Sequence, residues 1–148
     1  MDGPMEYARI KSWVEEWGGG VDYLDYVKSN GDMALMMAFS QIFWPRFIEV
    51  DGCVLWDRSY EKSNFTSWWD SLSGDTRKIE VTLNQLRVWQ LVEFSDADED
   101  RQALKFIAVR IAKSWRSALY VEFPGQDFDV RVIDSDDGPI VTFSSGSR

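Results

Sequence analysis

The longest amphipathic pattern in the chain covers residues 103–119, and two alternating apolar runs follow it between residues 127 and 143. In residues 103–119 apolar positions recur at intervals of three and four, as on one face of a helix. They are Leu104, Ile107, Ala108, Ile111, Trp115 and Ala118 or Leu119. The alternating runs flank Asp137-Gly138, a pair typical of tight hairpin turns. The pattern therefore predicts a surface helix with one buried face, followed by a β-hairpin.

A second hairpin is predicted between residues 46 and 57, where two β-prone runs flank Asp51-Gly52. A single strand bulged at Gly52 is the alternative. Residues 33–44 are apolar on almost every side of a helix, and Pro45 ends that helix. Such a helix is normally buried, so we expect residues 33–44 to be a central core helix. Its methionines would also suit an adaptable binding surface, but their density favours the core.

Shorter helical patterns complete the prediction. They cover residues 5–17, 21–28 and the stretch from Asn64 or Thr66 to Leu72. Residues 77–86 fit a helix capped by Asp75, although their first half also fits a strand, and we favour the helix. The predicted fold class is α+β. Residues 1–148 form a single compact domain, in which N-terminal and central helices pack on a small antiparallel sheet formed by hairpins near 46–57 and 127–144.

Composition agrees with a folded domain and restricts its partners. The chain has 148 residues, 45% of them hydrophobic, which is enough to bury a core. Its 25 acidic and 16 basic residues give a net charge of −9. Such a charge repels phosphate backbones and attracts basic proteins, so we expect a basic protein partner and no direct nucleic acid. Many proteins are acidic for solubility alone, and charge does not select a partner.

Residue types exclude several chemistries. The chain has no histidine and one cysteine, Cys53. Disulfide frameworks, Cys/His zinc sites and histidine-dependent catalysis are therefore excluded. We predict no catalytic residues, no cofactor and no metal site, with Cys53 a small buried hydrophobe. The sequence begins without a signal-peptide pattern and contains no membrane-length apolar run, so we expect a cytoplasmic protein without a membrane partner.

Two acidic clusters are candidate contacts for a basic partner. The first precedes the long helix, and the second occupies the predicted hairpin tip. The candidates are Asp96, Asp98, Glu99, Asp100, Asp134, Asp136 and Asp137. Each cluster also has a structural explanation, because Ser95 or Asp96 can cap the helix and first-turn acids oppose the helix dipole. The first cluster could alternatively bind a divalent cation, whereas the second departs from the calcium-loop pattern.

Trp68 and Trp69 are candidate anchors for the same partner. Adjacent residues of a helix point in different directions, so one of the two can be exposed. An exposed tryptophan is a frequent interface anchor, although a loop could also cover both rings.

Three segments carry a resemblance to known proteins. They are residues 43–54, Phe123-Pro124 with Phe128-Asp129-Val130, and residues 138–143 (Gly-Pro-Ile-Val-Thr-Phe). They resemble a family of small bacterial proteins of mostly uncharacterised role. In size, acidity and α+β pattern the chain is also similar to immunity proteins of bacterial polymorphic-toxin systems. That resemblance implies stoichiometric binding that blocks a toxin, and it brings no catalytic residues.

The resulting expectation is a non-catalytic cytoplasmic protein-binding domain, an immunity-type inhibitor that binds a basic, toxin-like partner. Two alternatives remain. One is an enzyme that uses carboxylates or a divalent cation. The other is a structural subunit of an assembly.

Overall fold

The computed structural model describes residues 1–146 and confirms the α+β class. Within that range the chain forms six α-helices and five β-strands. The helices are α1 (Ala8–Glu16), α2 (Tyr23–Asn30), α3 (Met33–Phe43), α4 (Lys62–Ser71), α5 (Thr76–Leu83) and α6 (Asp98–Glu122). The strands are β1 (Phe47–Val50), β2 (Cys53–Trp56), β3 (Leu86–Arg87), β4 (Phe128–Ser135) and β5 (Gly138–Ser145).

Both predicted hairpins are present, but they lie in two sheets and not in one. Strands β1 and β2 pair antiparallel around Asp51-Gly52, whose φ angles of 49° and 82° suit a tight turn. The second sheet has the order β3-β5-β4, and β4 and β5 are joined by a two-residue turn at Asp136-Asp137. No strand pairing connects the sheets within residues 1–146. The reason is that side chains of α5 stand between β2 and β5.

Glu80 of α5 is the first of these side chains and is fully buried. One of its carboxyl oxygens accepts hydrogen bonds from the Val54 backbone N–H at 2.9 Å and from the Ser145 hydroxyl at 2.7 Å. The other oxygen accepts from the Ser145 backbone N–H at 3.1 Å. Val54 belongs to β2 and Ser145 to β5, so one carboxyl group joins the two sheets.

Asn84 makes the second connection, one helical turn further along, because residues four apart lie on the same face of a helix. It is also fully buried. Its carbonyl oxygen accepts from the Trp56 N–H at 2.9 Å, and its amide nitrogen donates to the Val54 carbonyl at 3.0 Å. The same nitrogen lies 3.4 Å from the Phe143 carbonyl of β5. Glu80 and Asn84 thus replace the missing ladder hydrogen bonds, and we call the pair the α5 clamp.

The long helix α6 packs on the second sheet as predicted. Its buried residues are Leu104, Ala108, Ile111, Ala112, Trp115, Ala118 and Leu119. Trp115 contacts Trp56 and Phe143 edge-on, at ring-centroid distances of 5.3 and 6.0 Å. The predicted N-cap was Ser95 or Asp96, but the residue in that position is Ala97. The Ser95 hydroxyl accepts from the N–H of Ala97 instead, and Ser95 lies two residues before the N-cap.

The prediction that residues 33–44 form a buried core helix is wrong. The segment is helical and ends before Pro45, but no residue of α3 is buried. Every residue from 27 to 41 is exposed, and Met33 is 79% exposed. Within residues 1–146, the hydrogen bonds that attach α3 to α6 lie at its end, where the Ile42 carbonyl accepts from the Trp115 indole N–H at 2.8 Å and the Phe43 carbonyl accepts from the Ser114 hydroxyl. The buried core is formed by α6 and the strands together with Val88, and α3 contributes its partly buried Ile42 and Phe43.

The remaining helices agree with the prediction in outline. Helix α5 is confirmed over the strand alternative, and the Asp75 carboxylate caps it by accepting from the Lys78 N–H at 3.2 Å. Helix α4 begins earlier than predicted, because Glu61 caps it in place of Asn64 or Thr66.

The α5 clamp predicts the effect of replacing Glu80 by glutamine. Glutamine would place an NH2 group, which is a donor, where a carboxyl oxygen of Glu80 accepts. One of the buried backbone N–H groups that donate to Glu80 would then lose its hydrogen-bond partner. We expect Glu80→Gln to lower the free energy of unfolding by about 2–3 kcal/mol in urea denaturation. The matched control Glu49→Gln, on the exposed side of β1, should change it by less than about 0.5 kcal/mol. Equal effects of the two substitutions would contradict the clamp.

Candidate functional site

The acidic residues at the start of α6 are largely engaged by the protein itself. The Glu99 carboxylate accepts from the Ala8 N–H at 2.6 Å, at the start of α1. Asp100 accepts from the Tyr7 hydroxyl at 2.8 Å and from both the backbone N–H and the hydroxyl of Ser95 at 2.7 Å. These two candidates therefore attach α1 to α6, and their contact is structural.

The hydrogen bonds that Asp100 accepts also lower its pKa. Donation from the backbone N–H of Ser95, then from its hydroxyl and from Tyr7, holds the pKa of Asp100 below its usual range. The same hydrogen bond to Asp100 raises the pKa of Tyr7 above its usual range. Asp100 is thus an ionised acceptor at neutral pH and is occupied by three donors.

The hairpin tip is partly engaged in the same way. Asp134 accepts from the Lys105 ammonium of α6 at 2.7 Å. The Ser135 hydroxyl contacts both the N–H and the carbonyl of Gly138, and the Trp89 side chain packs closely against that glycine. The turn is therefore fixed, and Asp136 and Asp137 are exposed without an ion pair to residues 1–146.

Two acids of the first cluster remain on the surface. Asp96 pairs with Arg101 at 3.0 Å, and the pair is solvent-exposed, so its attraction is weak. Asp98 is exposed in the first turn of α6. Of the seven acidic candidates, Asp98, Asp136 and Asp137 are the ones without an ion pair or a side-chain hydrogen bond in the part of the chain that the structure describes.

The two tryptophans differ as the helical geometry requires. Trp69 is half-buried, packing on Phe65 and over Gly74. Trp68 is 37% exposed. Both lie on α4, beside a separate small core formed around Cys53, Leu55, Phe65 and Ile79. No hydrogen bond or ion pair among residues 1–146 joins α4 to either acidic cluster, so the structure does not bring these candidates together.

A larger exposed apolar surface lies on α2 and α3, where the sequence analysis considered an adaptable binding surface for residues 33–44 but favoured a core helix. We call it the α2–α3 surface, and it consists of Tyr23, Leu24, Val27, Met33, Leu35, Met36, Met37 and Phe39. The signal for it was the methionine-rich composition of residues 33–43, which hold no charged residue. Exposed apolar residues in this number are typical of an interaction site.

Acidic residues adjoin the α2–α3 surface. Residues 15–32 contain five of them and one base, Lys28; the acids are Glu15, Glu16, Asp22, Asp25 and Asp32. Asp22 and Asp32 cap α2 and α3, and Asp25 completes a capping box on α2. Their negative charge therefore lies on the same segments of the chain as the exposed apolar residues of α2 and α3.

The described residues offer little catalytic chemistry. Burial raises the pKa of the Cys53 thiol to about 12, which keeps it protonated and unreactive. No group of three or more His, Cys, Asp or Glu side chains within residues 1–146 could hold a metal ion. None of the helices in that range is both long and apolar enough to cross a membrane.

A cleft of about 710 Å³ lies between the end of α3, β2 and β3. Its walls include Arg58 and Arg87 together with Asp57, and Arg58 stacks on the Trp56 ring. A mixed-charge, open cleft of this kind does not indicate a reaction.

Comparison of the chain with known protein families, curated proteins and solved structures gave no match. The resemblance to immunity proteins therefore stays a prediction.

Asp100 gives a pH-dependent prediction. A carboxyl group with a lowered pKa stabilises the fold fully above its unfolded pKa of about 3.9, and this contribution is lost as the pH falls through the folded value. Replacing Tyr7 by phenylalanine removes one donor, so the pKa of Asp100 should rise towards its usual range. The attachment of α1 should then weaken at a higher pH than in the unmodified protein.

An NMR titration of the Asp100 carboxyl carbon would measure this change. Tyr23→Phe, on the exposed side of α2, is the control and should leave that titration unchanged. If Tyr7→Phe also leaves it unchanged, the proposed contact between Tyr7 and Asp100 is absent in solution.

Proposed function

We propose that the chain is a non-catalytic protein-binding domain whose partner is a basic protein, in the manner of an immunity-type inhibitor. The observation that carries the proposal is the exposure of α3. This helix has no charged residue, is exposed over residues 33–41, and is attached only at its C-terminal end in the described part of the chain. Leaving so much apolar surface in water is unfavourable, and protein binding removes it.

Charge supports a basic partner. The chain carries −9 overall, and Asp98, Asp136 and Asp137 are exposed acids with no ion pair in residues 1–146. Exposed charges of one sign attract a partner of the other sign and accelerate association, whereas apolar contacts hold the complex. Toxins that act on nucleic acids are basic because positive charge attracts the phosphate backbone. An acidic inhibitor is complementary in charge to such a toxin.

The proposed compartment is the cytoplasm, where a lone thiol such as Cys53 remains reduced. The proposed action is stoichiometric binding and not turnover. We therefore expect one chain to bind one partner molecule and to block its activity by occupying its surface.

The product of the gene adjacent to this one is the first partner to test, because inhibitors of the immunity type are expected to be encoded beside their targets. Copurification and calorimetry should show a one-to-one complex. Its affinity should fall as salt rises, because screening weakens attraction between exposed charges.

Charge reversal tests the role of the hairpin tip. Asp136→Lys together with Asp137→Lys should weaken the complex by about tenfold at about 0.05 M NaCl and much less at about 0.5 M. The control, Asp70→Lys together with Glu122→Lys, makes the same change in net charge on exposed residues elsewhere and should have a small effect. Equal effects of the two pairs would refute a specific role for the tip, and a complex insensitive to salt would refute the basic partner.

A further inference from the structure

We infer that α3 enters an apolar groove of the partner as an intact helix and forms the main anchor of the complex. This inference rests on the proposed function and names the contact through which it operates. The candidate anchors predicted from the sequence, Trp68 and Trp69, lie on a different helix and are less exposed than α3.

The arrangement of side chains around α3 favours a groove over a flat contact. With 3.6 residues per turn, successive residues are about 100° apart. Its large apolar residues therefore follow one another over an arc of about 200°. In angular order they are Leu35, Phe39, Met36, Met33 and Met37. A helix on a flat surface buries a stripe little wider than about 100°, so a partner must surround α3 to cover these side chains.

The attachment of α3 leaves it accessible to such a groove. Its hydrogen bonds to α6 involve Ile42 and Phe43, the last two residues of the helix. Asp32 caps the other end by accepting from the Leu35 N–H at 2.9 Å, so the helix is completed without a neighbour. Methionine side chains, which are unbranched and flexible, adapt to the shape of a groove.

Charge identifies a protein partner over the other possible occupants of this surface. A second copy of the chain would bring the same acids, Glu15 to Asp32, against themselves and would carry the same −9. Anionic lipid would be repelled for the same reason, and 11 residues span only about 16 Å of a membrane core of about 30 Å. A groove lined by apolar residues and flanked by basic residues matches both the exposed apolar side chains of α3 and the acids that precede it in the chain, among them its cap Asp32.

A designed helical hairpin provides a probe of known composition. One version has leucine along the groove between its helices and lysine at the flanking positions, and the other has glutamate at the flanking positions. The lysine hairpin should bind the full chain at least about tenfold more tightly than the glutamate hairpin at about 0.05 M NaCl. The difference should shrink at about 0.5 M NaCl, where the charges are screened.

Substitutions in α3 test where the hairpin binds. Leu35→Ser together with Met36→Ser should weaken binding of the lysine hairpin by at least about tenfold, since two buried anchors are lost. The control, Tyr120→Ser together with Val121→Ser, removes two exposed apolar residues of α6 and should change the affinity by less than about twofold. Circular dichroism of each variant confirms that the helices are retained.

Several results would overturn the inference. The first is that neither hairpin binds, and the second is that the α3 substitutions leave the binding unchanged. The third is that the free chain forms a dimer that those substitutions dissociate. Comparable binding to phosphatidylcholine vesicles, with or without phosphatidylglycerol, would assign α3 to a membrane surface instead.

A one-to-one complex with the adjacent gene product whose affinity the α3 substitutions leave unchanged would overturn the inference and leave the proposed function standing. Equal affinity for the two hairpins, lost with those substitutions, would contradict the basic partner and leave α3 as the anchor.

Discussion

The two sheets of this domain are connected by side chains, since the backbone ladders of β2 and β5 do not meet. Glu80 and Asn84 accept from or donate to backbone groups of Val54, Trp56, Phe143 and Ser145. Without these side chains, the same N–H and carbonyl groups would be buried and unpaired, at a cost of about 1–3 kcal/mol each. A carboxyl group this deeply buried is tolerated because three donors surround it. The interior therefore depends on α5 having one exact register between the sheets.

This arrangement explains why α3 can remain outside. The α5 clamp brings β2 beside β5, and α6 covers the second sheet with Trp115 between Trp56 and Phe143. The core is then closed by residues after 46, with Ile42 and Phe43 as its contribution from α3. The first eight residues of α3 are exposed and contribute no buried side chain to the core. Under the proposed function, stability and binding thus reside in different parts of the chain.

The sequence predicted the elements whose signals are local. The Asp51-Gly52 turn, the hairpin of residues 127–144, the buried face of α6 and the cap at Asp75 all follow from spacing and turn chemistry, and the structure confirms them, with the second turn at Asp136-Asp137 in place of Asp137-Gly138. The separation of the sheets was not predictable in this way. Glu80 and Asn84 look like solvent-facing polar residues of a helix, and their burial depends on the strands that pack against them.

For α3 the local sequence pattern is strong, but the burial that it predicted is wrong. A helix that is apolar on most sides normally lies in a core, and the composition of residues 33–43 supports that interpretation. Only the tertiary structure shows that the core is already complete. The acidic candidates were likewise indistinguishable by sequence, although Glu99 and Asp100 attach α1 while Asp136 and Asp137 are exposed. Which acid is structural depends on a contact across about ninety residues, from Tyr7 to Asp100.

Hydrogen exchange of the backbone amides of residues 33–41 tests the central claim most directly, because it reports the cover of α3 in the free chain and in its complex. In the free chain these amides should exchange much faster than those of α5 and β5. In a complex with the adjacent gene product they should slow by about tenfold or more, with little change in α5. Two results would contradict the account. One is that the amides of α3 are as protected as those of α5 in the free chain, and the other is that the exchange rates of the α3 amides do not change in the complex.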